Sequence, residues 1–358
     1  MRKIRVAIVG VGNCASALIQ GLAYYGESSD NFPKPGMITP ILGGYGPADI
    51  EVVTAFDVVD TKVGLPLNQA IWAYPNNTMV MVESVPWKAK VMRGPTFDGL
   101  GRYLREVVGE STADPVDVED ILVYLNVDVV VSYLPVGSEL AARYYAGAAL
   151  RAKCAFINAM PTFIASDPVE AAAFKRAGVP IIGDDIKSQV GATIVHRALA
   201  TLMRDRGVAL KRTSQLNIGG NTDFLNMLER DRLKSKKISK TQAVTSVMGV
   251  ELPAEDVHIG PSDHVPWLGD RKVAHIRLEA EGFGGAPMII DLKMDVWDSP
   301  NSAGVVMDAI RCAAVAQDRK EGGPVYAACS WYMKSPPEQV DDDMARDALD
   351  EWLEGDTD

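Results

Sequence analysis

The chain has 358 residues, 47% of them hydrophobic and 23% charged, the balance of an ordinary globular protein and a length that favours two domains. Its net charge of -11 at pH 7 argues against a nucleic-acid partner, because neutralising phosphates takes a surplus of Lys and Arg, yet bulk acidity leaves room for a local basic pocket. No apolar run approaches the ~20 residues of a membrane span, and Cys14, Cys154, Cys312 and Cys329 are too scattered for a zinc ribbon or disulfide framework, so a cytoplasmic protein with reduced thiols and no membrane partner is expected.

Residues 4–9 form an apolar run broken by Arg5 and ended at Gly10, too short for a leader peptide and the right length for a strand. Residues 51–56, 127–134, 155–158 and 179–182 are further expected strands. Most are continuously apolar rather than alternating, as a parallel sheet covered on both faces requires. Between them, residues 13–25, 138–152, 168–177 and 188–204 have helical spacing, which predicts an α/β fold with a Rossmann-type, doubly wound parallel sheet. Two stretches break the rhythm. Residues 27–49 are rich in Gly and Pro, and residues 57–126 contain Arg93-Gly94-Pro95-Thr96-Phe97-Asp98-Gly99. Loops of that size are functional, contact another subunit, or are disordered.

Beyond Ser188 the texture changes. Residues 214–218 and 275–279 look like strands, and residues 289–297 alternate as a sheet with one wet face would. Residues 221–234 and 240–247 look helical. This predicts a second α+β domain with an open, mostly antiparallel sheet over residues 189–298, the first domain being residues 1–188 and 299–358. Residues 302–319 return to a helical pattern suited to packing on the first sheet. Residues 341–358 place Met344, Leu349, Trp352 and Leu353 on one helical stripe, a docking surface.

Gly10-Val11-Gly12-Asn13-Cys14-Ala15 follows the first strand and opens the first helix, a Gly-x-Gly-x-x-Ala form of the dinucleotide fingerprint. Gly10 would make the tight turn, Gly12 would let backbone approach a pyrophosphate, and Ala15 would let helix pack on strand. The helix start offers free N–H groups and a partial positive charge. Asp57 ends the second strand, where a carboxylate binds ribose hydroxyls and repels a 2′-phosphate, favouring NAD over NADP; a plain turn Asp is the other reading. It stands further along than the usual spacing of about 20 residues, and the Gly/Pro-rich stretch accounts for the excess.

Gly183-Asp184-Asp185-Ile186-Lys187-Ser188-Gln189-Val190-Gly191-Ala192-Thr193 leaves a strand for a helix and is a second anion candidate, with Lys187 adding charge. Ser188 is equally suited to capping the helix with no ligand. Lys236 and Lys240 are four apart and would share a helical face, either around an anion or as a solvated basic surface. Asp270-Arg271-Lys272 and Met333-Lys334-Ser335 say nothing alone, and Asp298-Ser299-Pro300-Asn301 could be a plain helix start. His196, His258, His264 and His275 lack metal-ligand spacing.

Taken in order, these segments resemble the inositol-1-phosphate synthases (myo-inositol-3-phosphate synthases), most closely the short actinobacterial type. The likeness is carried by Val6–Ala15, Arg93-Gly94-Pro95-Thr96, Ser132-Tyr133-Leu134-Pro135-Val136-Gly137-Ser138, the 183–193 segment, Gly220-Asn221-Thr222-Asp223-Phe224-Leu225-Asn226, Ser235-Lys236-Lys237-Ile238-Ser239-Lys240, the 297–304 segment and Lys334-Ser335-Pro336-Pro337. The resemblance implies an isomerase of inositol and phospholipid biosynthesis that recycles NAD. D-glucose 6-phosphate would be oxidised at C5, enolised, closed by an intramolecular aldol step and reduced again to 1L-myo-inositol 1-phosphate.

Carried over by position, the family's catalytic lysines fall on Lys236, Lys240, Lys272 and Lys334. Lys272 and Lys236 would stabilise oxygens on C1 and C5 and shuttle protons, and Lys334 would serve the C5 side. Asp185, Asp223 and Asp298 would orient the lysines, and Asn221 would bind the sugar. Ser188, Gly191 and Thr193 would hold the phosphate or the nicotinamide side. Gly10, Gly12, Asn13, Cys14, Ala15, Asp57, Tyr145, Ser188, Asp223 and Lys236 would bind the cofactor. Family members use a divalent or a monovalent cation, and no dedicated cage for one stands out here. They form homotetramers through the second sheet, a role residues 289–297 suit. The rival readings are an ordinary NAD-dependent dehydrogenase of a small phosphorylated or carboxylated substrate, and a non-catalytic NAD sensor.

Overall fold

The computed structural model describes residues 2–26, 35–233, 244, 246–247 and 252–355. Seven parallel strands form the first sheet: β1 (Ile4–Val9), β2 (Ile50–Asp57), β3 (Val91–Arg93), β4 (Val129–Ser132), β5 (Ala155–Asn158), β6 (Pro180–Ile182) and β11 (Gly323–Pro324). Their order is β11-β6-β5-β4-β1-β2-β3. The order in which strands are added reverses between β1 and β4, the crevice where open α/β sheets bind ligands.

The alternation of β1 explains why both faces are covered. Ile4, Val6 and Ile8 join a core with α1 (Asn13–Gly26), α8 (Asp298–Asp318) and α9 (Tyr326–Tyr332). Ala7 and Val9 point the other way, toward α3 (Val118–Tyr124), α4 (Glu139–Arg151) and α5 (Pro168–Ala177). A strand sandwiched this way has no wet side beyond the half-buried Arg5, hence its nearly continuous apolar run.

The second sheet has the order β10-β9-β7-β8, from β7 (Ala209–Gly219), β8 (Val257–His264), β9 (Arg271–Glu281) and β10 (Pro287–Trp297). β9 runs antiparallel to β7 and β10, and β8 runs parallel to β7. The helix α6 (Ala192–Asp205) covers one face, with Ala192, Ala200 and Met203 on Leu210, Ala274, Ile276 and Leu278. On β10, Ile290, Leu292 and Met294 pack toward that core while Ile289 and Trp297 stay exposed, so the expected alternation holds.

Several boundaries move. The helix expected from Ser188 begins at Ala192, with Gly191 as its N-cap. Gln189 N–H and Val190 N–H donate instead to Asn301, at 2.8 and 3.1 Å, which ties this backbone to the start of α8. Residues 221–233 split into α7 (Thr222–Asn226) and a 3-10 turn at Arg230–Leu233. In the closing helix α10 (Asp342–Glu354), Ala345 and Leu349 are buried but Met344 is exposed, so the docking stripe excludes Met344. Most of residues 240–247 lie outside the described residues. Among those described, no helix is long and apolar enough to cross a membrane.

Candidate active site

A cavity of about 260 Å³ opens at the switch point beyond the ends of β1, β2 and β4. Its wall carries Gly10, Gly12, Asn13, Cys14, Asp57 and Tyr145 from the first sheet's side. It also carries Asp185, Ser188, Asn221, Asp223, Lys272, Asp298 and Lys334 from later in the chain. Residues far apart in sequence thus face one space.

Gly10 turns the chain with φ +88°, and a side chain there would bring its Cβ within 2.7 Å of the Tyr133 carbonyl oxygen. Only glycine satisfies both demands. At Gly12 nothing of the protein lies within 4 Å of a would-be Cβ, leaving the backbone open to a ligand. Asp57 fixes this turn by accepting from Val11 N–H at 2.7 Å, and its other oxygen accepts from Val58 and Val59 at 2.7 and 2.9 Å. The Val11 carbonyl accepts from Lys62 Nζ at 2.8 Å and Asn76 Nδ2 at 3.1 Å. Burial pushes the Lys62 ammonium below its usual range, against the pull of Asp57. Asn13 Oδ1 accepts from Asn77 N–H at 2.8 Å. The long 57–126 excursion therefore wraps the glycine turn. Ala15 is buried off the wall, a small side chain inside the core.

Tyr145 is buried against Phe56, ring centroids 6.0 Å apart. It fits because position 94 is glycine: a Cβ there would stand 1.9 Å from the Tyr145 hydroxyl. Arg93, in the same motif, braces its own loop by donating to Ser111 O, Thr96 Oγ1, Glu110 and the Gly94 carbonyl.

Lys272 donates to Asp298 at 3.0 Å, and its ammonium lies 5.9 Å from the Phe224 ring centroid. Asp298 is the first residue of α8, where the helix dipole favours a carboxylate. Lys334 donates to Asp185 at 3.0 Å and to the Ile186 carbonyl at 2.7 Å. Asp185 reaches it from a left-handed backbone, φ +60°. Asp184 holds that turn: its buried carboxylate accepts from Asn158 Nδ2, the backbones of Ile164, Ala165 and Ser166, and Ser166 Oγ, all between 2.7 and 3.1 Å.

Asn221 caps α7, accepting from the Asp223 and Phe224 N–H groups at 3.1 and 3.2 Å, and donates to Asp270 at 2.9 Å. Asp270 is fully buried and accepts also from Asn13 Nδ2 at 3.2 Å and Ser299 Oγ at 2.9 Å. Burial raises its carboxyl above the ordinary value, against those hydrogen bonds. Cys14 Sγ lies 3.7 Å from Ser299 Oγ, and burial pushes the thiol up to about 12, so it stays protonated.

Part of the expected anion segment stands elsewhere. Of its members expected to hold a ligand, Ser188 lines the cavity; Gly191 and the buried Thr193 are set back at the start of α6. Lys187 is turned away, donating to the Ser330 carbonyl at 3.0 Å and to Asp342 at 2.9 Å. Its charge is spent on α10, not on a phosphate. Lys236 and Lys240 lie outside the described residues. Sequence reasoning missed Lys62, Asp184 and Asp270. The paired acids of Asp184-Asp185 were a visible signal, whereas Lys62 and Asp270 had none. Among the described residues, no three His, Cys, Asp or Glu side chains are grouped to hold a metal ion.

The residues present fit a dinucleotide: a glycine turn no side chain could replace, an open backbone beyond it and a carboxylate at the end of β2. Residues 191–299 match the family described as myo-inositol-1-phosphate synthase. The chain is 58% identical to the inositol-3-phosphate synthase of Mycobacterium tuberculosis (strain CDC 1551 / Oshkosh), over 99% of this chain and 96% of that one. It is 54% identical to that of Corynebacterium glutamicum, over 98% of each. A solved myo-inositol-1-phosphate synthase-related protein from Thermotoga maritima superposes with a TM-score of 0.80 at 26% identity, covering 99% of both chains.

Proposed function

The chain belongs to the myo-inositol-1-phosphate synthase family, and from that premise we propose that it is an isomerase converting D-glucose 6-phosphate to 1L-myo-inositol 1-phosphate with NAD as a recycled cofactor. One observation carries the reading. The cavity that meets the glycine turn and Asp57 also meets Lys272 and Lys334, each tethered to an acid.

Bound NAD would take up the hydrogen of C5 and give it back after ring closure. The protein's own part is to hold and to polarise. Asp57 accepts from the ribose hydroxyls, the turn from Gly12 to Cys14 presents backbone N–H to the pyrophosphate, and Tyr145 closes the wall. Lys272 and Lys334 supply positive charge to oxygens on C1 and C5, a charge that counts most where water is excluded. Asp298 and Asp185 fix where those ammonium groups point, and Asp223 and Asn221 set the floor beneath the sugar. Ser188 contacts the phosphate, with Gly191 and Thr193 shaping the helix start behind it. Lys236 and Lys240 complete the set. In this reading residues 1–188 and 299–358 hold the cofactor, while residues 189–298 do the chemistry and join four copies through the open sheet face. The enzyme works in the cytoplasm, with or without an activating cation.

The test is incubation of the pure protein with glucose 6-phosphate and a catalytic amount of NAD, read by phosphorus NMR. Inositol phosphate without net NADH is expected. Steady accumulation of NADH in proportion to substrate consumed would instead mark an ordinary dehydrogenase.

A further inference from the structure

We propose that the Tyr133 hydroxyl is a ligand-binding group, donating a hydrogen bond to a neutral carbonyl oxygen held in the cavity: the carboxamide of a bound nicotinamide or the ketone formed on the sugar.

Tyr133 is the first residue past β4, at the switch point, and its N–H donates to the Val9 carbonyl at 2.8 Å. Its own carbonyl is the atom that forces glycine at position 10. The residue is therefore fixed against the cofactor turn by its backbone on both sides. Its side chain lines the cavity, yet the hydroxyl is sealed from solvent and has no hydrogen-bond partner among the described residues. A buried, unsatisfied hydroxyl costs free energy that phenylalanine would avoid. Four other polar groups on this wall are engaged: Lys272 with Asp298, Lys334 with Asp185, Asn221 with Asp270 and Lys62 with Val11. Tyr133 differs from them in having no such bond.

The chemistry of the ligand follows from that of the donor. Burial, with the Cys14 thiol beside it, drives the phenol well above its ordinary value. It keeps its proton, which makes it a donor rather than a base. It carries no charge, so it suits a neutral carbonyl oxygen better than a phosphate. The proposal rests on the NAD-dependent reading above.

The experiment is Tyr133→Phe in the full chain, with the melting temperature, the Kd for NAD, the Kd for ADP-ribose, and kcat measured against the unchanged protein. The free variant should melt at the same temperature or higher, because an unpaired hydroxyl has gone. A carboxamide contact predicts a roughly tenfold weaker Kd for NAD with ADP-ribose unaffected; a sugar contact predicts a roughly tenfold lower kcat with both Kd values unaffected. Either result supports the proposal. Kd and kcat all within twofold of the unchanged protein would overturn it, leaving the hydroxyl to a trapped water. A lower melting temperature with both ligands weakened together would also overturn it, as a structural role. Unchanged protein that binds no NAD removes the functional reading itself, a different failure from a variant that binds as well as its parent.

Discussion

Truncating Asp270 should disconnect the cofactor side of the cavity from the sugar side. Its carboxylate accepts from Asn13 beside the glycine turn, from Asn221 at the cap of α7 and from Ser299 at the start of α8, and its carbonyl accepts from Asp298 N–H at 2.9 Å. In Asp270→Ala the Asn221 and Ser299 donors are left buried without this acceptor, at about 1–3 kcal/mol each. Loss of a buried carboxylate with no cation on it among the described residues offsets part of that, so a net destabilisation of about 2–4 kcal/mol is expected. Asp270→Asn keeps the shape and one acceptor and should stay within about 1 kcal/mol of the parent. The two variants also differ in pH dependence. The folded carboxyl titrates above its ordinary 3.8, so as pH rises the unfolded chain gives up this proton first and the native state binds more. This group's contribution therefore falls as pH climbs from 3.8 through the raised folded value, and the Asn variant escapes that fall. Urea midpoints over a pH series, with kcat and KM at neutral pH, are the assay. Asp270→Ala as stable and as active as the parent would refute the reasoning, because the joint would then be incidental.

Lys272→Ala should abolish product formation, by about a thousandfold or more in kcat, while a direct titration finds the Kd for NAD little changed. Gly94→Ala drives a methyl into the Tyr145 hydroxyl and should weaken NAD binding about tenfold; adding Tyr145→Phe removes the obstructing oxygen and should restore much of it, by the same titration. His196 is buried and neutral between Gln215 and Thr213, and burial pushes it down to about 4. Its contribution to stability is present above the unfolded value of 6.5 and is lost as pH falls toward 4, by about 3 kcal/mol at most. Urea midpoints of His196→Gln should fall less steeply over that window than those of the parent.

The first sheet was legible because its strands carry their burial in their composition. Ala155–Asn158 and Pro168–Ala177 lie where the apolar run and the helical spacing put them. The elements that escaped notice are those without a pattern. β3 has three residues, and β8 contains His258, Pro261 and Asp263, so neither shows a run or an alternation. Residues 188–191 have helical composition, but Gln189 and Val190 give their N–H groups to Asn301, a partner more than a hundred positions away. Lys187 was misjudged for the same reason, since Asp342 cancels it from the far end of the chain. Helix starts and local charge are read from neighbours in sequence; long-range pairing overrules both.

The same point bears on the lysines. Among the described residues of the cavity wall, Lys62, Lys272 and Lys334 stand against Asp57, Asp185, Asp223 and Asp298. Such a wall carries no surplus of positive charge, and the dipole at the start of α1 adds only about half an elementary charge. A pyrophosphate together with a sugar phosphate brings several negative charges into a confined space, where unbalanced charge is costly. On the proposed reading, cations from elsewhere enter the balance, and residues 230–240, with Arg230, Arg232, Lys234, Lys236, Lys237 and Lys240, are the dense basic run that follows the α7 floor in the sequence. On the same reading the carboxylates already present leave that run a role: they orient the ammonium groups, and in doing so they offset the charge a phosphorylated substrate would require.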